Sequence, residues 1–208
     1  LILYGVLPEG CEAWAGKFKP VMRWKAEITQ VFDIPQGQGV SYNSTWQAPK
    51  AGKIAVLGVG YGDGYPRSWS PGAYVHPSVH PSIMKEQNLS ETMKTIASSA
   101  DDEGKEDEAE AAETIESKSQ KALQRLNAEV VGRICMDATM VHLPDEPLAR
   151  YIYRPGTEVT LMGGDEGAPS IEELAKLEGT IPYEIMTRIN GRVPRLYFSK
   201  QHPFMRST

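Results

Sequence analysis

From Met22 to Ile34 apolar and polar residues alternate. Met22, Trp24, Ala26 and Ile28 fall on one side, and Arg23, Lys25, Glu27 and Thr29 on the other. A period of two marks a strand with one face buried and one face in water, the pattern of antiparallel sheets. Pro35, Gly37 and Gly39 then supply turn chemistry, and VSYNSTW (40–46), rich in β-formers, predicts a second strand. KIAVLGVG (53–60) predicts a third, and the short runs 129–134, 138–143, 157–162 and 193–198, bounded by Gly, Pro or Asp, predict more. Strands this short and this closely spaced build a barrel or sandwich rather than a parallel sheet with crossover helices. Two short helices follow late in the chain. Ser170 and Glu173 form a capping box before IEELAKLE, which stops at Gly179. Pro182 then occupies the first position of a helix over 182–190, with Gly191 just beyond it. The expected fold class is mainly β: an antiparallel, barrel-like domain with a few short helices.

One stretch breaks the pattern. Residues 84–126 include DDEGKEDEAEAAETIESKSQ, which has no aromatic residue and cannot bury enough apolar surface to offset its ordering entropy. We read it as a surface insertion between two strands, spanning at most 78–126 and partly disordered or helical. A partner-docking tail is its functional alternative. The insertion also explains the charge. Between Ser78 and Ala122 eleven acidic residues face five basic ones, against sixteen and seventeen in the rest of the chain, so the net −5 belongs to the insertion. A nearly neutral globular part argues against a nucleic-acid surface, where a basic stripe is expected. Two cysteines, Cys11 and Cys135, are too few for a disulfide framework or a zinc cluster, and suggest a reduced, cytoplasmic protein. His76, His80, His142 and His202 lack metal-ligand spacing, and no run approaches the roughly 20 apolar residues of a membrane helix. The chain opens on Leu1 as though mid-strand, which suggests a fragment.

GVGYGDGYPR (58–67) packs four glycines into seven positions. It misses the dinucleotide fingerprint, because Asp63 stands where the third glycine is needed. It misses a P-loop too, because Tyr65 and Pro66 follow Gly64. Its glycines therefore suit a tight backbone path better than a phosphate cradle.

Read in order, LYG, KPVM, VSYNSTW, GYGDGYPR, VGRICMD, GGDEGAPSIEELA and TIPYEIMTRINGRVPRLYF resemble the C-terminal domain of alanine racemase over nearly the whole chain apart from the insertion. That family is a pyridoxal 5′-phosphate enzyme. Its (β/α)8 barrel carries the cofactor lysine, and its active sites lie between the barrel of one subunit and the C-terminal domain of the other. The resemblance implies that residues 1–8 end the barrel and 9–208 form the C-terminal domain, with the cofactor lysine outside this chain.

By the same resemblance Tyr42 is the base opposite that lysine. A free tyrosine has a pKa of about 10, so such a base needs an environment that makes the phenolate accessible. Asn43 replaces a usual glycine, and asparagine tolerates unusual backbone angles better than most residues. Met136 is matched as the backbone donor to the substrate carboxylate; Tyr61, Arg67, Arg133, Asp137 and Ile181 line the substrate corridor, and Tyr183 bonds the cofactor phosphate. Tyr61 and Tyr65 are alternatively plain core aromatics, and Cys135 a structural thiol. The implied protein is a bacterial cytoplasmic homodimer that interconverts L- and D-alanine for peptidoglycan and is inactive without its barrel. A racemase for another small amino acid such as serine, or a non-catalytic racemase-like interaction module, are the alternatives.

Overall fold

The computed structural model describes residues 4–6, 10–14, 17–78, 124–164, 167–198 and 205–206. The expected insertion lies outside them except for Ser78 and residues 124–126.

Strand β1 (Arg23–Ile34) follows the alternation closely, with Trp24, Ala26 and Ile28 buried and Arg23, Lys25 and Glu27 exposed. It is long enough to serve two neighbours. Its first half pairs with β8 (Glu158–Gly163), Ala26 opposite Val159. Its second half pairs with β4 (Gly52–Leu57), Phe32 opposite Ile54. Register shifts at Trp24/Lys25 and between Ile28 and Gln30 bend the strand between these duties, as bulges do. With β5 (Tyr74–Pro77), β6 (Ala128–Val131) and β7 (Thr139–His142), these strands close an antiparallel barrel in the order β1-β4-β7-β6-β5-β8. Ile28, Leu57, Val75, Val130, Val141 and Leu161 fill the main core and are completely buried.

A second, smaller core lies under the hairpin of β2 (Gly39–Val40) and β3 (Trp46–Gln47). There Val40 and Ala48 pack on Ile34, Ile54 and Val131. VSYNSTW is therefore not one strand. The backbone at Ser41, Asn43 and Ser44 is left-handed, with φ of 63°, 61° and 47°, and no strand can pass through such residues. Strand β5 was not expected. It has only four residues, ends in a proline, and owes its place to its neighbours β6 and β8.

One turn of helix, α1 (Ala149–Ile152), precedes β8; α2 (Ile171–Glu178) and α3 (Pro182–Arg188) follow it. The Ser170–Glu173 box forms as the sequence predicts, Gly179 caps α2 at φ 73°, and Pro182 opens α3. The run 193–198 contributes only β9 (Leu196–Tyr197), which pairs with β10 (Met205–Arg206) outside the barrel.

Candidate functional site

At the end of the barrel where β4 stops and β7 begins, four segments meet: the β2–β3 loop, the glycine-rich loop, the 132–138 loop, and the stretch after α3. The glycine-rich loop runs against the next backbone. Tyr61 N–H donates to Cys135 O at 3.0 Å and Gly62 N–H to Met136 O at 2.8 Å. A Cβ on Gly60 would lie 2.2 Å from Cys135 O, so this glycine exists to let two chains touch. Tyr65 is fully buried against Trp69 and is a core aromatic, whereas Tyr61 is 48% exposed and is not.

The β2–β3 loop docks on the same 132–138 segment from the other side. Ser41 Oγ donates to Arg133 O at 2.6 Å and lies 3.8 Å from Cys135 Sγ. Gly132, at φ 65°, leaves room for this contact, since a Cβ there would lie 2.8 Å from Ser41 Cβ. Tyr42 stands at the tip of the loop, 68% exposed. Cys135 is half-buried, its thiol faces Ser41 and the Arg133 carbonyl, and among the described residues no histidine is bonded to it, as suits a structural thiol.

Arg192 joins the third and fourth segments, a role that sequence spacing did not disclose. Its Nε donates to Asp63 Oδ1 at 2.7 Å and a terminal nitrogen to Asp137 Oδ1 at 2.6 Å. The other oxygen of Asp63 accepts Gly60 N–H at 2.9 Å, and Asp63 O accepts Asn190 N–H at 2.9 Å. One carboxylate thus ties the Tyr61 turn to the chain after α3. The hydrogen bonds it donates to Asp63 and Asp137 hold the Arg192 guanidinium still more firmly protonated. Arg188 does likewise within α2 and α3: it bonds Glu178 and Glu184, and the Thr180 hydroxyl and Arg188 together hold the Glu184 carboxyl below its usual range. Ser68 Oγ donates to Glu178 Oε1 at 2.9 Å, fixing the turn that carries exposed Arg67.

The resulting rim presents Tyr42, Tyr61, Arg67, Arg133, Met136 and Asp137, all exposed. Ile181 and Tyr183, exposed too, start α3, the element that leads into the Asn190–Asp63 contact. Both carbonyls flanking Met136 N–H along the loop are bonded, yet among the described residues no acceptor takes that N–H. The rim combines exposed aromatic and apolar side chains with two arginines, and the Met136 amide is among the donors there that no described residue takes up. A cavity of about 480 Å³ lies at the opposite ends of β4 and β7, but its lysines are already paired, Lys50 with Asp145 and Lys53 with Asp33. Among the described residues no group of His, Cys, Asp and Glu is arranged to hold a metal ion, and no helix is long and apolar enough to cross a membrane.

Comparison with known proteins agrees with this architecture. The family model of the alanine racemase C-terminal domain matches residues 21–83 and 107–197. The chain is 32% identical over 197 residues to the alanine racemase of Desulfovibrio desulfuricans, covering 95% of this chain and 39% of that protein. It is 30% identical over 202 residues to that of Staphylococcus saprophyticus, covering 96% and 39%. Among solved structures, alanine racemase from Clostridium difficile superposes with a TM-score of 0.69 at 25% identity, covering 100% of this chain and 41% of that one. The enzyme from Streptomyces coelicolor gives 0.61 at 31% identity, with 93% and 38% covered. The chain therefore spans about two fifths of the length of the relatives it matches.

Proposed function

Since the chain belongs to the alanine racemase family, as its C-terminal domain, we propose that it brings the second proton-transfer group to the α-carbon of alanine in a pyridoxal 5′-phosphate enzyme. Racemisation takes the α-proton from one face and returns it to the other, so acid–base groups are needed on both faces. The cofactor, when bound, supplies the electron sink for the deprotonated carbon.

The chain's own residues supply position and protons. Tyr42 Oη accepts the α-proton of L-alanine, and in the reverse direction returns it. Met136 N–H donates to the substrate carboxylate. Tyr61, Arg67, Arg133, Asp137 and Ile181 border the corridor, where exposed side chains remain to be covered by the barrel of a second subunit. Tyr183 donates its hydroxyl to the cofactor phosphate. The donor set suits that group, since a half-exposed phenol at the first turn of α3 is a neutral hydrogen-bond donor. The lysine for the cofactor comes from the barrel that precedes this domain in the family. Lys25, Lys50 and Lys53 of this chain are engaged in ion pairs with Glu158, Asp145 and Asp33. On this reading the domain alone is inactive, the working unit is a homodimer, and the product D-alanine serves peptidoglycan.

The observation that carries the proposal is the unshared Met136 N–H in the loop onto which Ser41 bonds the Tyr42 tip. The experiment is Tyr42→Phe in the full-length protein. The ring and its packing remain, and the proton-carrying oxygen is lost. A positioned general acid–base contributes about 10² to 10⁴ in rate, so turnover should fall by that factor with fold and cofactor content unchanged. Wild-type turnover would remove Tyr42 from the reaction.

A further inference from the structure

Three of the four residues from Ser41 to Ser44 hold left-handed backbone, and none of the three is glycine. L-residues avoid this region, and a run of them persists only where surrounding contacts over-determine it. Tyr42 lies between two such residues, so its Cα has little freedom to move along the chain. Ser41 joins this loop to the opposite wall, its Oγ donating to Arg133 O. The acceptor belongs to the loop that holds Met136. Farther along that loop the carbonyls of Cys135 and Met136 are bonded by Tyr61 and Gly62. The wall is thus fixed from the Tyr61 side without help from Ser41.

We infer that Ser41 is a positioning residue that sets the Tyr42 phenol against the Met136 amide through its bond to the Arg133 carbonyl, an inference that rests on the reading of Tyr42 given above. A serine suits the place on three counts. Its hydroxyl reaches a carbonyl one bond from the backbone. Its single γ-atom fits against Gly132, where a Cβ would come within 2.8 Å of Ser41 Cβ. Its hydroxyl also meets the Cys135 thiol at 3.8 Å, so it is enclosed by two partners of one loop. Loss of the hydroxyl frees the base and leaves the carboxylate donor in place. The signature is therefore a lower kcat with KM close to wild type.

The test compares full-length wild type, Ser41→Ala, Ser41→Gly and Tyr42→Phe, with L- and D-alanine in ordinary and α-deuterated form. The equilibrium constant between enantiomers is unity by symmetry, so kcat/KM must change equally in both directions. The isotope effects, not the rates, identify the proton transfer that has slowed. Both Ser41 variants should lose about tenfold in kcat, the scale of one hydrogen bond. Their isotope effect should grow for L-alanine, whose proton Tyr42 takes, and not for D-alanine. Wild-type kcat in Ser41→Gly, or isotope effects that grow equally for both enantiomers, would overturn the inference. Glycine accepts φ 63° without strain, so Ser41→Gly decides the matter even if the alanine variant does not fold. A fully active Tyr42→Phe would instead bring down the reading of Tyr42 itself. Normal Ser41 variants beside an inactive Tyr42→Phe would bring down Ser41 alone.

Discussion

Arg192 sits 2.6 Å from Asp137, a residue 55 positions earlier, and no other contact among the described residues bridges the Met136 loop directly to the segment after α3 by an ion pair. Because Arg192 also holds Asp63, its removal takes one ion pair each from the Tyr61 turn and the Asp137 loop and loosens both against the segment after α3. Arg192→Met keeps the stem and removes the fork. KM for the amino acid should rise several-fold at low ionic strength while kcat changes less, since Tyr42, the proposed proton-transfer group, lies on another loop. Salt screens half-exposed pairs, so the gap between variant and wild type should narrow as salt is raised. Steady-state kinetics at two ionic strengths provide the measurement, and an unchanged KM at low salt would count against this clamp.

Tyr65 is fully buried, its ring 4.7 Å from Trp69 in an edge-to-face contact at 90°. Among the described residues its hydroxyl has no hydrogen-bond partner, and burial pushes the phenol pKa up. A buried polar atom without a partner keeps its desolvation cost, about 1–3 kcal/mol. Tyr65→Phe removes that atom and keeps the ring. The melting temperature should stay level or rise by a few degrees, at about 2–4 °C per kcal/mol for a chain of this size. A clear fall in the melting temperature would show that the oxygen is bonded in the whole protein.

His142 packs against Trp46 with ring centroids 5.3 Å apart, and its Nε2 is buried without a partner among the described residues. Desolvation lowers its pKa below 6.5, Glu129 and Asp145 act against that shift, and Lys50 adds to it. A histidine with a depressed folded pKa contributes its stability fully above the unfolded value and loses it as the pH falls through the folded one. The melting temperature should therefore drop as the pH goes from about 7 towards 5, the unfolded value being about 6.5. His142→Phe keeps the ring against Trp46 and should flatten that slope. An identical slope in the variant would assign the acid sensitivity to the carboxylates.

Local chemistry made part of this molecule readable. The alternation at Trp24, Ala26 and Ile28 named the buried face of β1, and Ser170, Glu173 and Gly179 marked both ends of α2. These signals need only neighbours in sequence. The Tyr42 loop was misread because β-formers surround residues whose backbone is set by docking on Gly132 and Arg133, about ninety positions away. The role of Arg192 was hidden for the same reason, since its partners Asp63 and Asp137 lie 129 and 55 residues off. Tyr42, Tyr61 and Met136 could be singled out only as members of an ordered series of motifs. As single residues they look like ordinary sheet aromatics and a surface methionine.

Strand β1 gives its first half to β8 and its second to β4. A slip of one residue would exchange Trp24, Ala26 and Ile28 for Arg23, Lys25 and Glu27 on the inner face. The error could not remain local, because both seams of the cylinder share this one segment. Partial opening at either seam therefore weakens the other, and the barrel should melt as a single all-or-none unit. The rim that holds Tyr42 and Met136 would then be lost in one step, with no population of half-open domains that keep the Tyr42 loop while losing the Met136 loop.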